Sequence, residues 1–191
     1  MLRANSLALL LVVLSACSYS FTSLKNPYEK KGVKTVSVSI FKNKTIEGGA
    51  EVFFTDSLRL YLVSRSGKLE LVRSGADAYI EGEVRSITLI PASIQMGTAA
   101  TEAAGGLPAD RLLATTYTIT VTASLKMIRA KDEKTLWTNT FSQAQTMNSG
   151  SYTDERETSN VFIKESNKRA AIQSLADQMM KFAVDSLLEE F

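Results

Sequence analysis

Tyr117-Thr118-Ile119-Thr120-Val121-Thr122-Ala123-Ser124-Leu125-Lys126-Met127 is the stretch that decides the fold of this 191-residue chain. Tyr117, Ile119, Val121, Ala123, Leu125 and Met127 point one way, and the hydroxyl residues and Lys126 point the other. A strict period of two is the signature of a half-buried strand. Its register is strongly specified, because a slip of one residue would turn the whole apolar set into water. Lys131-Asp132-Glu133-Lys134 reads as a polar turn, after which Leu136 to Ala144 returns with Trp137 and Phe141 on one face. The two segments form a long β-hairpin whose aromatic residues, Tyr117 and Trp137 included, belong to the core.

Working outward, Val36, Val38 and Ile40 alternate with Ser37 and Ser39 as a first strand, and Asn43 to Gly49 is turn-like. Ala50 to Ser66 places Phe54, Leu58, Tyr61, Leu62 and Arg65 at helical spacing, with Gly67 positioned to stop the helix. Ala78 to Ile90 is a second long strand. Ile80, Gly82 and Val84 share one parity and Ile87 and Leu89 the other, which predicts a bulge near Arg85 or Ser86. Pro91 is expected to close this strand. Ala92 to Ala114, rich in Ala, Gly and Thr, then reads as a long connection without its own structure, a kind usually functional or disordered. After a polar connection, Thr146 to Thr158, a final helix carries Ile172, Leu175, Ala176, Met179, Phe182, Ala183 and Leu187 as its apolar stripe. Ser159 is its candidate N-cap, and Asp185, Glu189 and Glu190 oppose the dipole at its end. The expected fold is α+β, with two helices packed on one face of a four-stranded, mostly antiparallel (mixed) sheet. The other face, with Ser37, Ser39, Thr118, Thr120, Thr122 and Ser124, stays polar and suits solvent or a wet interface.

The first seventeen residues read as an export signal. Arg3 precedes an apolar run from Leu7 to Leu14, too short to span a bilayer, and Leu14-Ser15-Ala16-Cys17 look like a lipobox. Cleavage before Cys17 would leave that cysteine, the only one in the chain, at the mature N-terminus with covalent lipid. Ser18 at the next position resembles lipoproteins released to the outer membrane. The chain therefore divides into a signal peptide (1–16), the acylated cysteine and a tether (17–32), and a single domain (33–191). Burial of acyl carbon stabilises by about 0.8 kcal/mol per methylene, so several chains make a lasting anchor.

Composition narrows the chemistry. The formal charge is +2 with no histidine, so a basic nucleic-acid footprint is not expected. Metal sites and Cys/His or Ser/His catalysis lose their usual residues. Glu81 and Glu83 share a strand face, as Asp154 and Arg156 would in an extended loop, but such pairs usually form a solvated surface. Gly105-Gly106-Leu107-Pro108 has neither the spacing nor the lysine of a phosphate loop. The reading is a protein with no catalytic residues, no metal and no cofactor apart from lipid on Cys17.

Several segments together resemble the LptE family of outer-membrane lipoproteins. They are Tyr19-Ser20-Phe21 after the cysteine, Phe41-Lys42-Asn43-Lys44-Thr45 ending a strand, Ala76-Asp77-Ala78-Tyr79-Ile80-Glu81-Gly82, the Tyr117 strand, the hairpin to Leu136-Trp137, and Arg169-Ala170-Ala171 in the last helix. The resemblance implies a lipoprotein that plugs a large β-barrel, LptD, and binds lipopolysaccharide on its way to the outer leaflet. It also implies that basic loop residues at one end of the sheet touch lipopolysaccharide, and the matching positions are Arg111 and Arg156. A guanidinium fork suits the phosphates and carboxylates of such a ligand. The Ala92 to Ala114 connection is longer than the family pattern. Asn43-Lys44-Thr45 and Asp77 to Gly82 fit outer-membrane activators of peptidoglycan synthases equally well. Against that alternative, Ser18 to Gly32 reaches only about 50 Å when fully extended, which is short for a partner at the inner membrane.

Overall fold

The computed structural model describes residues 26–65, 68–103, 109–148 and 165–189. Its strands are β1 (Thr35–Val38), β2 (Lys42–Asn43), β3 (Glu70–Leu71), β4 (Ala78–Met96), β5 (Leu112–Arg129) and β6 (Thr135–Asn148). The α-helices are α1 (Ala50–Ser64), the short α2 (Ala99–Ala103) and α3 (Glu165–Glu189), with a 3-10 turn at Glu29–Lys31. The sheet runs β3-β1-β4-β5-β6, and β2 pairs with β4 beyond the end of β1. β1 is parallel to both β3 and β4, β2 is parallel to β4, and β4, β5 and β6 form an antiparallel meander. The α+β class expected from sequence is the observed one: α1 and α3 pack together and against the sheet. The sheet has two strands more than expected because β2 and β3, of two residues each, are too short to show a period.

The alternation in β5 becomes burial. Ile119, Val121, Ala123, Leu125 and Met127 face the helices, and Trp137 lies opposite Met127 in the register. α1 contributes Ala50, Phe54, Leu58 and Leu62 at four-residue intervals, so one stripe enters the core. α3 contributes Ile172, Leu175, Met179, Ala183 and Leu187. Each fully buried large side chain of this set stabilises the fold by about 1.5–3 kcal/mol. Ser57 of α1 donates to Asp177 of α3, and Arg65 pairs with Asp185 at 2.7 Å. That pair offsets the unfavourable placement of Asp185 near a helix C-terminus.

Four expectations are corrected. Pro91 does not end the strand: β4 continues to Met96 and β5 begins at Leu112, so 92–96 and 112–114 extend the β4–β5 hairpin, with α2 near its tip. Beyond Val84, β4 pairs with β5 alone among the described residues, and a missing proline N–H is tolerated on such an edge. Ile40 is exposed, because β1 stops at Val38 and the chain turns Phe41 inward in its place. Phe182 is 53 % exposed, although the other stripe residues of α3 are buried. The segment read as tether is partly held by the domain: Tyr28 is 1 % exposed and its hydroxyl donates to the Leu187 carbonyl at 3.1 Å. The bulge expected near Arg85 is present, with Val84 opposite Ala123 and Ser86 opposite Thr122. Cys17, Gly67, Asp154, Arg156, Ser159 and Glu190 lie outside the described residues.

The motifs quoted from sequence prove to be structural fastenings. Asp77 accepts from the Lys34 and Thr35 amides and from the Thr35 hydroxyl, each at 2.9 Å, and its own amide donates back to Thr35 Oγ1. The two backbone bonds, then the hydroxyl, hold its carboxyl below the usual aspartate range. Asn43 Oδ1 accepts from the Thr45 amide and hydroxyl, while its Nδ2 donates to the Glu47 carbonyl and to Glu51 Oε2, which sets the entry to α1. A Cβ on Gly82 would stand 2.3 Å from the Phe41 ring, so only glycine lets that ring lie on the sheet.

Two expected outcomes follow from these contacts. Gly82→Ala should lower stability by about 1–3 kcal/mol through overpacking, and adding Phe41→Leu should recover part of the loss in a denaturation-based double-mutant cycle. Asp77 carries a lowered folded-state pKa, so its contribution is complete above the ordinary aspartate value of about 4 and is lost as pH falls through the lower folded value. The stability gap between wild type and Asp77→Asn, measured by urea titration, should therefore be flat from neutral pH to about 5 and close below about 4.

Candidate ligand-binding end

The domain has two dissimilar ends. At one, the 3-10 turn is tied to the β5–β6 turn by Arg129, whose Nη1 donates to the Lys31 carbonyl at 2.9 Å while its fork holds Asp132. That is where the described chain begins, at Asn26. At the other, the β4–β5 hairpin runs on past Thr116, where β6 ends opposite it at Asn148. The 19 residues of β4 separate the two ends by about 60 Å.

The tip is closed by backbone bonds. The Gly97 amide donates to the Arg111 carbonyl at 2.7 Å, and the Asp110 amide donates to Gly97 at 3.3 Å, with Asp110 at a left-handed φ of 60°. Glu102 at the end of α2 accepts from the Ala109 amide at 3.1 Å. The Arg111 side chain is exposed, immediately before β5. Register places Ile94 opposite Ala114 and Met96 opposite Leu112, so these side chains share a face. Ile94, Met96 and Leu112 are 61, 62 and 66 % exposed. This apolar patch was missed in the sequence, because two register shifts after Pro91 break the alternation that would have revealed it.

Of the candidate contacts, Arg111 stands at the tip and Arg156 lies outside the described residues. The described residues nearest Arg156 in sequence, Asn148 and those opening α3, meet at the tip-ward end of the sheet, where Asn167 Nδ2 donates to the Asn148 carbonyl at 3.3 Å. Arg111 is accompanied by Asp110 and Glu102, so the tip is not a basic patch.

The carboxylates Glu81 and Glu83 do share the outer sheet face, in a groove of about 280 Å³ lined also by Lys42, Arg85, Ser124 and Lys126. They do not form an acid–base pair. Lys126 Nζ lies 2.8 Å from Glu81, and that hydrogen bond holds the Glu81 carboxyl below its usual range, whereas a general acid requires a raised one. Glu83 faces Arg85 at 3.8 Å, and Arg85 also donates to Ser124. Among the described residues, no three Cys, Asp or Glu side chains gather as metal ligands. No helix among them is long and apolar enough to cross a membrane, which says nothing of strands in a barrel.

Ionic groups are paired off along the sheet, and apolar side chains are left bare at one hairpin end. Residues 33–188 match the model of the family described as LptE, lipopolysaccharide-assembly, and the chain belongs to that family of non-enzymatic assembly lipoproteins. No curated protein matches its sequence. Solved structures with some likeness include the PelC dodecamer from Paraburkholderia phytofirmans (13 % identity, 82 % of this chain and 89 % of that one, TM-score 0.44). Others are lipoprotein GNA1162 from Neisseria meningitidis (10 %, 82 % and 99 %, 0.45) and a minor lipoprotein from Acinetobacter baumannii (14 %, 82 % and 97 %, 0.41). These likenesses are too distant to argue from.

Proposed function

We propose that this lipopolysaccharide-assembly lipoprotein is anchored in the outer membrane through acylated Cys17, seats within an LptD-type β-barrel as its plug, and contacts lipopolysaccharide through Arg111 and Arg156. The observation that carries this reading is the β4–β5 hairpin, which leaves the helical layer and ends in exposed Ile94, Met96 and Leu112 beside Arg111. Apolar side chains next to a guanidinium suit an amphiphile with an anionic head. Family membership points the same way. The packing of Tyr28 favours a barrel at the anchoring membrane over a distant synthase. With Tyr28 buried, the stretch from Cys17 to Asn26 can span at most about 30 Å.

Binding of purified lipopolysaccharide to the full-length lipoprotein in detergent tests the site. Charge reversal of both arginines, Arg111→Glu with Arg156→Glu, should weaken binding at least tenfold while leaving the melting temperature within a few degrees; at Arg111, which is exposed, such a substitution usually changes stability by less than about 0.5 kcal/mol. Binding unchanged in the double variant removes the assignment. Cys17→Ala should leave the protein unacylated and extractable from membranes without detergent.

A further inference from the structure

The open edges of this sheet are treated unequally. Where β4 is an edge, from Arg85 onward, it carries a charge, a proline and three register shifts. The opposite side ends in β3, two residues long, with Lys68 and Arg73 close by. Shortness, charge, proline and bulges are the devices that keep edge strands from pairing with other chains. β6 has one of them, a register shift at Leu136 near its start, and from Trp137 onward it has none. It is 14 residues long, Thr135–Asn148, with no charged residue, proline or glycine, and nothing pairs with its outer edge among the described residues.

The edge is also open in its hydrogen bonding. The Thr140 amide donates to Asn139 Oδ1 at 2.8 Å, a local side-chain partner. It therefore points away from β5, and by strand alternation so do the backbone groups of Thr138, Ser142, Ala144 and Thr146. Above this edge stands the exposed Phe182. Asn139 Nδ2 meets Ser186 Oγ at 3.4 Å, and Phe182, one turn earlier on α3, shares the flank that faces β6. One turn of helix is about 5.4 Å, or roughly two strand residues, so Phe182 stands level with about Phe141, at the middle of β6.

We propose that the edge of β6 pairs antiparallel with β6 of a second copy of this chain, about a two-fold axis near Ser142. Antiparallel pairing across a two-fold axis is self-complementary, and an uncharged strand brings no like charges together. The same axis brings the two Phe182 rings toward each other over the joined sheets. The argument is independent of the lipopolysaccharide reading.

Sedimentation equilibrium of the full-length lipoprotein in density-matched detergent is the test. A concentration-dependent monomer–dimer equilibrium is expected, weakened at least tenfold by Thr140→Lys and by Phe182→Ser, neither of which alters a side chain buried in the core. Under mild oxidation Ser142→Cys should yield a disulfide-linked dimer, whereas Thr88→Cys, on β4, should not. Both variants keep their folded circular dichroism spectrum. A monomer at every concentration up to about 0.1 mM overturns the proposal. So does a dimer indifferent to Thr140→Lys, or protection of β6 amides from hydrogen exchange only when a different protein is bound.

Discussion

The contact on which the rest of the domain depends is the Phe41 ring lying against Gly82. Phe41 follows the end of β1 and precedes β2, and its amide donates to Thr55 Oγ1 of α1 at 3.0 Å. One residue thus ties the parallel strands to the first helix, and its ring stands 5.8 Å from Phe54 in the core. Gly82 makes this possible by having no side chain on the helix-facing side of β4. Asp77, five residues earlier, closes the same pair of strands from the other end by capping Lys34 and Thr35. Between them the two contacts set the register of β4 on β1, and β4 in turn aligns β5 and β6.

This arrangement explains what was legible in the sequence. The β5 alternation, the parity change that marks the bulge after Val84, and the four-residue spacing in α1 each reflect a periodic element half buried against one layer. β2 and β3 were illegible because two residues cannot display a period. The outer half of the β4–β5 hairpin was illegible for a different reason: extra residues at Ala92 and Thr115 and a proline in the ladder disturb the alternation, and among the described residues Ile90, Ile94, Met96 and Leu112 stay exposed there. Phe182 misled in the opposite sense, since its place in the helical stripe gave no sign that it stays exposed.

The candidate site was legible only in part. Arg111 was identified through a family resemblance, and the structure adds its place at the hairpin tip with the apolar residues beside it. The shared Asn-x-Thr and Asp-to-Gly motifs did not separate two lipoprotein families because they do structural work: one opens α1, and the other fastens β1 and makes room for an aromatic ring. The proposed function uses the two ends of the sheet. One end holds the chain that leads toward Cys17, and the other extends bare side chains about 60 Å away. In the proposed reading, the rigid domain separates the anchored end from the tip that contacts ligand.

The most direct test of this account is affinity purification of the tagged, full-length lipoprotein from detergent-solubilised outer membrane, with mass spectrometry and quantitation of what remains bound. The account predicts a large β-barrel recovered in near-equal amount. Recovery of a peptidoglycan synthase, or of no stoichiometric partner, would contradict it.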